Sequence, residues 1–237
     1  MPLVIDVAVA KTHKHATRES GDTAEIIERP TGGVTLLIVD GQGSGRGARV
    51  ISQLIVARCL AMLKEGVRDG VVARAASDIL LAHRHGQVSA TLDLVSVDLA
   101  AGEIVITRQG ATVGVVRHAD GLDLLTEETP PLGRYRLSRP MIWRYPIRAG
   151  LTVIVTSDGI TASGQRLGLS PLDLRVWSAN VQDPASAQTI ADQLLAEAIA
   201  RDAGRPADDC TVGVVMIQSE HDGSAVRRMS VLVPVGR

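Results

Sequence analysis

The sequence predicts an α+β fold in which two antiparallel sheets stack face to face and carry helices on their outer sides. Three observations predict it. Apolar runs of strand length recur along the chain, turn signals separate them about every ten to fifteen residues, and the helical stretches come in blocks. One helix between each pair of strands would instead indicate a parallel, doubly wound sheet. No Pro-, Ser- or charge-rich linker interrupts the pattern, so residues 1–237 are expected to form a single domain.

Leu3 to Ala10 alternates apolar with small or polar residues and reads as a strand. Asp22 to Glu28 reads likewise, beyond a loop carrying Lys11, His13, Lys14, His15 and Arg18. The turn Pro30-Thr31-Gly32-Gly33 feeds Val34 to Val39, a continuous apolar run expected to be buried on both faces and to end at Asp40. Beyond the glycine-rich stretch Gly41 to Gly47, Val50, Leu54, Ile55, Ala57, Leu60, Ala61 and Leu63 recur at helical spacing until Gly66. A second helix is expected over Val71 to His83.

From Val88 the period becomes two. Val88 to Leu99, Glu103 to Arg108 and Ala111 to Arg117, with turns at Ala101-Gly102 and Asp120-Gly121, read as an antiparallel meander. The turn Ala149-Gly150 leads into Leu151 to Thr156, another buried strand, which ends at Ser157-Asp158-Gly159. A helix from about Pro184 to Asp202 stops at Gly204 and Pro206. Cys210 to Ile217, directly after Asp208-Asp209, and Met229 to Val235 complete the expected strands.

Hydrophobic residues make up 45% of the chain, yet Phe is absent and the aromatics total 2%, so the core must be built from Val, Leu, Ile and Ala. Such a chain has little with which to stack on nucleic acid bases, and a net charge of −1 gives no general attraction to nucleic acid or anionic lipid. No apolar run reaches the roughly 18 residues of a membrane span. Met1 to Ala10, short and interrupted by Asp6, does not read as a signal peptide. Neither nucleic acid nor membrane is therefore expected as a partner. Cys59 and Cys210, in apolar surroundings and without CxxC spacing, read as buried thiols in a reducing compartment. The expected location is cytoplasmic.

Three carboxylates share a placement. Asp40 closes an apolar strand before a glycine, Asp158 closes another before a glycine, and Asp209 opens a third. Each by itself also reads as a turn or capping residue. Together they read as a metal site, because a carboxylate at the end of a buried strand costs stability unless it is paired. Mg²⁺ and Mn²⁺ supply that pairing through oxygen ligands.

The segments Leu37-Ile38-Val39-Asp40-Gly41-Gln42-Gly43-Ser44-Gly45, Thr156-Ser157-Asp158-Gly159-Ile160 and Asp208-Asp209-Cys210-Thr211-Val212, in that order and spacing, resemble the metal-dependent type 2C protein phosphatases. Within these the resemblance is to the bacterial branch containing the sporulation stage II phosphatase E and the stress-response phosphatases. Ser20-Gly21-Asp22 resembles that branch's early Gly-Asp motif, and Pro131-Leu132-Gly133 its mid-chain Leu-Gly turn. The resemblance implies a four-layer αββα sandwich with a binuclear Mn²⁺ or Mg²⁺ centre at one end. It implies that Asp40 bridges the two ions, that the Gly41 carbonyl binds one, and that Asp158 and Asp209 bind the other. Asp22 would orient coordinated water or help to hold a third, weaker ion, which makes Asp40 and Asp22 the implied catalytic pair. The implied activity is hydrolysis of phosphoserine and phosphothreonine in proteins by metal-activated water. The implied partner is a phosphorylated regulatory protein, anti-anti-sigma or stressosome-like, in a stress or sigma-factor partner-switching pathway.

The chain departs from that pattern at the proton donor. Gln42 stands where many eukaryotic relatives carry a His, and Ser44 stands where bacterial relatives often carry one two residues later. Glutamine is no general acid, so the leaving group is expected to take its proton from coordinated water, or turnover is expected to be slow. His13, His15 and Arg18 either reach the site or form a solvated basic loop. His83 and His85 read as partners of a helix C-terminus. Gln109-Gly110-Ala111 replaces a Gly-His-Pro element of larger relatives, and with no sensor module expected ahead of the domain, regulation is expected in trans or through expression. Two other readings exist. Gly43-Ser44-Gly45-Arg46-Gly47-Ala48 matches a dinucleotide-binding GxGxxA. Alternatively, the same fold without a proton donor serves as a non-catalytic docking platform.

Overall fold

The computed structural model describes residues 2–181, 185–220 and 226–234. In chain order these form β1 (Leu3–Thr12), β2 (Asp22–Glu28), β3 (Val34–Gly41), α1 (Gly45–Lys64), α2 (Asp69–Arg84), β4 (Ala90–Asp98), β5 (Glu103–Gln109), β6 (Gly114–His118), β7 (Gly121–Leu125), β8 (Met141–Pro146), β9 (Thr152–Thr156), α3 (Asp158–Thr161), α4 (Leu174–Asn180), α5 (Ala187–Arg201) and β10 (Cys210–Ser219). Two five-stranded sheets result, ordered β1-β10-β9-β6-β7 and β2-β3-β4-β5-β8, with antiparallel pairing throughout.

The period of two along the strands divides the apolar residues among three packed layers. In β3, Leu37 and Val39 face α1 and α2, where they meet Ile55, Cys59, Leu63, Ala73 and Leu80. Leu36 and Ile38, alternating with them, face the other sheet and pack with Val95, Ile106, Val153 and Val215. In β10, Val212 and Val214 face α5, against Ile190, Ala191 and Leu194. Helix, sheet, sheet and helix thus form the expected αββα sandwich. Its cores are almost wholly aliphatic, and each buried Leu or Ile contributes about 1.5–3 kcal/mol. Gly213 sets the sheet spacing, since a Cβ there would lie 2.7 Å from Ile38 Cδ1 and Leu36 Cδ2.

One charged pair is sealed between the sheets. Arg108 Nε donates to Asp93 Oδ1 at 2.5 Å, its Nη1 to the Leu125 carbonyl of the opposite sheet, and its Nη2 to Thr112 Oγ1. Both charged residues are at most 4% exposed. A buried guanidinium with every branch engaged acts as a bolt between the layers.

Several expectations change. The meander is not continuous: β4 and β5 pair, but β6 crosses to the other sheet beside β9 and β7. The crossing follows from packing, because the two sheets need strands from both halves of the chain to close the inter-sheet core. Strand β8 went unforeseen, since it is an edge strand whose inward residues Trp143 and Tyr145 are only half-buried against the inter-sheet core while the others are exposed. Of the last expected strand, residues 229–234 adopt no strand, and Val231 and Leu232 are 84% and 97% exposed. An apolar alternation becomes a strand only where a sheet edge accepts it, and β10 already lies between β1 and β9. Pro184 and Val235, the expected start of the long helix and end of that strand, lie outside the described residues. Among the described residues no helix is long and apolar enough to cross a membrane.

Candidate metal centre

The carboxylates gather at one end of the sandwich because strand register brings them there. Asp22 on β2 lies directly across from Asp40 on β3, and Asp40 across from Thr91 on β4. The other sheet contributes Asp158, at the end of β9, and Asp208 and Asp209, at the start of β10. Ser157 N donates to the Thr211 carbonyl at 3.0 Å, and Thr211 N donates to Ser157 Oγ at 2.9 Å, which locks these two strand ends together. A bond crosses between the sheets as well: Thr211 Oγ1 donates to Asp22 Oδ2 at 2.6 Å.

Glycines make the convergence possible. A Cβ on Gly41 would lie 2.2 Å from the Ala48 carbonyl oxygen, and one on Gly159 would lie 2.1 Å from that of Asp209. The glycine after Asp40 admits α1, and the glycine after Asp158 admits the loop ahead of β10. Both Asp-Gly pairs therefore mark close backbone approach as well as chemistry.

A cavity of about 390 Å³ lies between the carboxylates, lined by Asp22, Asp40, Asp158, Asp208 and Asp209 together with Lys14 and Gln42. Among the described residues no Lys, Arg or His forms an ion pair with any of these five. Burial pushes the Asp40 carboxyl up to about 9, assisted by the charges of Asp22, Asp158 and Asp208 and by hydrogen bonding with Asp22. Burial likewise pushes Asp22 up, opposed by the Thr211 and Ser157 hydroxyls. Asp22 Oδ1 is buried without a hydrogen-bond partner. Asp158 is raised by burial and by the charge of Asp208. These are the electrostatics of acidic groups assembled without the cation that would neutralise them.

The two neighbouring aspartates differ. Both oxygens of Asp209 are engaged, Oδ1 by the Lys14 N–H and Oδ2 by the Gly21 N–H, each at 2.8 Å, and the residue is 4% exposed. Asp208 lines the cavity half-buried, and its Oδ1 accepts only the N–H of Asp209 at 2.9 Å. Gln42 is held by Ser89: its Oε1 accepts from Ser89 N at 2.9 Å and Ser89 Oγ at 3.1 Å. His13 and His15 are exposed and stand outside the cavity lining, as does Arg18. His83 and His85 are exposed at the end of α2. The glycine-rich Gly43–Ala48 follows a strand paired antiparallel on both sides and faces carboxylates, so it lacks the parallel βαβ setting of a dinucleotide site.

A family model described as stage II sporulation protein E (SpoIIE) matches residues 30–218, most of the chain. The chain belongs to the SpoIIE family. Among solved structures, the PP2C phosphatase domain with a fragment of the regulatory domain of the cell fate determinant SpoIIE from Bacillus subtilis has a TM-score of 0.78 at 23% identity. That match covers 90% of this chain and 63% of that longer one. The catalytic domain of the serine/threonine protein phosphatase PstP, in complex with two manganese ions, gives 0.70 at 19% identity over 92% of this chain and all of that one. RsbX in complex with magnesium gives 0.69 at 14% identity, over 90% and 96%. At these identities the likeness establishes a shared PP2C fold. No curated protein sequence matches the chain.

For this SpoIIE-family chain, sequence reasoning missed Asp208, the Gln42–Ser89 clamp and the Thr211 bridge. The signal for Asp208 was the period of two, which carries Asp209 inward on the side of Thr211 and Gly213. Nothing local marked Ser89, which reaches Gln42 only through tertiary pairing.

Proposed function

We propose that the protein is a metal-dependent serine/threonine protein phosphatase acting on a phosphorylated regulatory protein of a stress or sigma-factor partner-switching pathway. The observation that carries this reading is the set of carboxylates converging from both sheets on one cavity, none of them in an ion pair with a Lys, Arg or His among the described residues. The donor set is all oxygen, which suits Mg²⁺ or Mn²⁺. Among the described residues no three His, Cys, Asp or Glu side chains form a ready-made cage.

We infer that Asp40, Asp158 and Asp208 would hold two such ions, with Gly41 contributing its carbonyl and Asp22 supporting Asp40 from behind or helping to hold a third ion. Asp208 takes the role that the sequence suggested for Asp209, because the Asp209 oxygens are committed to fixing the loop at Lys14 and Gly21. When bound, divalent ions lower the pKa of coordinated water and offset charge on phosphoryl oxygens. The protein's own contribution is placement. Register fixes Asp40 against Asp22, and the Ser157–Thr211 bonds fix Asp158 near Asp208. Gln42, clamped by Ser89, orders the loop and supplies no proton. Ser44 begins α1 at the cavity with its hydroxyl unspent on a cap, beside a helix N-terminus that favours an anionic group.

Phosphate release from a phosphoserine peptide with Mn²⁺ tests the reading. Asp40→Asn and Asp208→Asn are expected to abolish release with the fold intact, while Asp209→Asn reduces it through loosening of the 14–21 loop. Release by the wild type no greater than by Asp40→Asn would instead favour the docking-platform reading, which the lack of a His in the cavity lining motivates. Loss in Asp209→Asn with full activity in Asp208→Asn would reverse the assignment of the two aspartates.

A further inference from the structure

At the other end of the β2–β8 sheet lies a second cavity, of about 460 Å³, beneath the amino end of α2. It meets β4 at Ser96, Val97 and Asp98, whereas the carboxylate centre meets β4 at Ala90 and Thr91. Six residues of strand separate Thr91 from Val97, about 20 Å. The two sites are therefore distinct.

Five arginines line this cavity, Arg29, Arg68, Arg74, Arg139 and Arg144, against two aspartates. They come from the β2–β3 turn, α2 and its approach, the segment entering β8, and β8 itself. Arg144 is paired with Glu103 at 2.8 Å, and Arg29 with Asp69 at 3.2 Å. Arg68, Arg74 and Arg139 are exposed and form no ion pair among the described residues. Three like charges facing one hollow repel one another, so the arrangement favours an anion between them. Beneath them, Asp69 is 5% exposed and its Oδ2 has no hydrogen-bond partner, the Arg29 guanidinium being paired with Oδ1. Burial pushes the Asp69 carboxyl up, opposed by the nearby Ser96 hydroxyl and by Arg29. A buried acceptor left open in a cationic hollow calls for a ligand that carries a donor as well as negative charge.

We propose that this cavity binds a nucleotide-sized phosphorylated ligand, its phosphates on Arg68, Arg74 and Arg139 and a hydrogen-bond donor of its organic body on Asp69. The volume falls within the roughly 300–1,000 Å³ of small-molecule sites, and a bare phosphate would leave most of it empty. Val71, Pro140 and Ile142 supply an apolar wall for the organic part. No aromatic side chain lines the cavity, so the planar guanidinium groups are the surfaces on which a base would stack. Arginine forks also match phosphate oxygens in pairs. The inference does not depend on the carboxylate centre.

The test is calorimetric titration of the whole chain, kept in EDTA so that no divalent ion links phosphates to the carboxylates, with GTP, ATP and pyrophosphate as probes. One nucleotide is expected to saturate at one per chain and to bind at least about tenfold more tightly than pyrophosphate. Arg74→Glu and Arg139→Glu, at exposed positions outside every ion pair among the described residues, should each weaken it about tenfold or more with unchanged unfolding curves. Asp69→Asn should narrow the gap between nucleotide and pyrophosphate. Asp40→Asn should bind as the wild type does. Absence of saturation by about 2 mM with every probe, unchanged affinity in both arginine variants, or pyrophosphate binding as tightly as the nucleotides would each overturn the proposal.

Discussion

Replacing Asp40 by Asn separates the electrostatics of the candidate centre from its shape. The Asp40 carboxyl is pushed from 3.8 up to about 9, so in the metal-free protein it is protonated at neutral pH and resembles the amide that would replace it. A group whose pKa is raised by folding stabilises the fold fully below its unfolded value, and that contribution is lost as pH rises toward the folded value. The metal-free wild type is therefore expected to lose stability between about pH 4 and about pH 9, while the Asp40→Asn curve stays flatter. Below about pH 4 the two metal-free proteins should agree within about 1 kcal/mol, and at about pH 7.5 the variant should be the more stable by several kcal/mol. Mn²⁺ then distinguishes them. At about 100 times its dissociation constant it stabilises the wild type by about 2.7 kcal/mol. For a chain of this size that is a rise of roughly 5–10 °C in Tm. The variant, lacking the carboxylate that all the neighbouring charges act on, should rise by less than about 2 °C. Circular dichroism melts with and without Mn²⁺ provide the assay. An equal Mn²⁺-dependent rise in the variant, or a steep metal-free pH dependence that persists in it, would refute the argument that Asp40 is the focus of cation binding.

Three further outcomes follow from packing. Arg108→Met leaves Asp93 charged and unpaired between the sheets, and chemical denaturation should register a loss of about 3–5 kcal/mol; the double variant with Asp93→Leu should recover much of it. Gly159→Ala places a Cβ 2.1 Å from the Asp209 carbonyl oxygen, so it should cost roughly 2 kcal/mol or more in a denaturant melt and weaken Mn²⁺ stabilisation by shifting Asp158. The Cys59 thiol is fully buried and pushed up to about 12 by burial, so titration with a thiol-reactive chromophore near pH 8 should find it silent in the native protein and reactive after unfolding.

The layer architecture was legible because a period of two in strands and 3.6 in helices follows from backbone geometry alone. The two-sheet architecture follows from the order of strand and helix blocks, the aliphatic core from composition, and the placement of Asp40 and Asp158 from apolar runs that stop at Asp-Gly. The gathering of Asp22 with them at one end was implied by the family resemblance. Where burial did not accompany an element, the pattern misled. Strand β8 is an exposed edge, and residues 229–234 alternate without a sheet edge to receive them.

What the sequence by itself determined, then, is which acidic residues stand at the ends of buried strands, since a strand's end is a local property. Only the tertiary structure decided which atoms face the shared cavity. Asp208 and Asp209 are adjacent in sequence, and their roles diverge because the Lys14 and Gly21 amides, 195 and 188 residues earlier in the chain, claim both oxygens of one and leave the other at the opening. The arginine-lined cavity was equally illegible. Its five cations come from the β2–β3 turn, α2 and the region of β8, and charge spread along a chain becomes a field only where the fold brings it to one place.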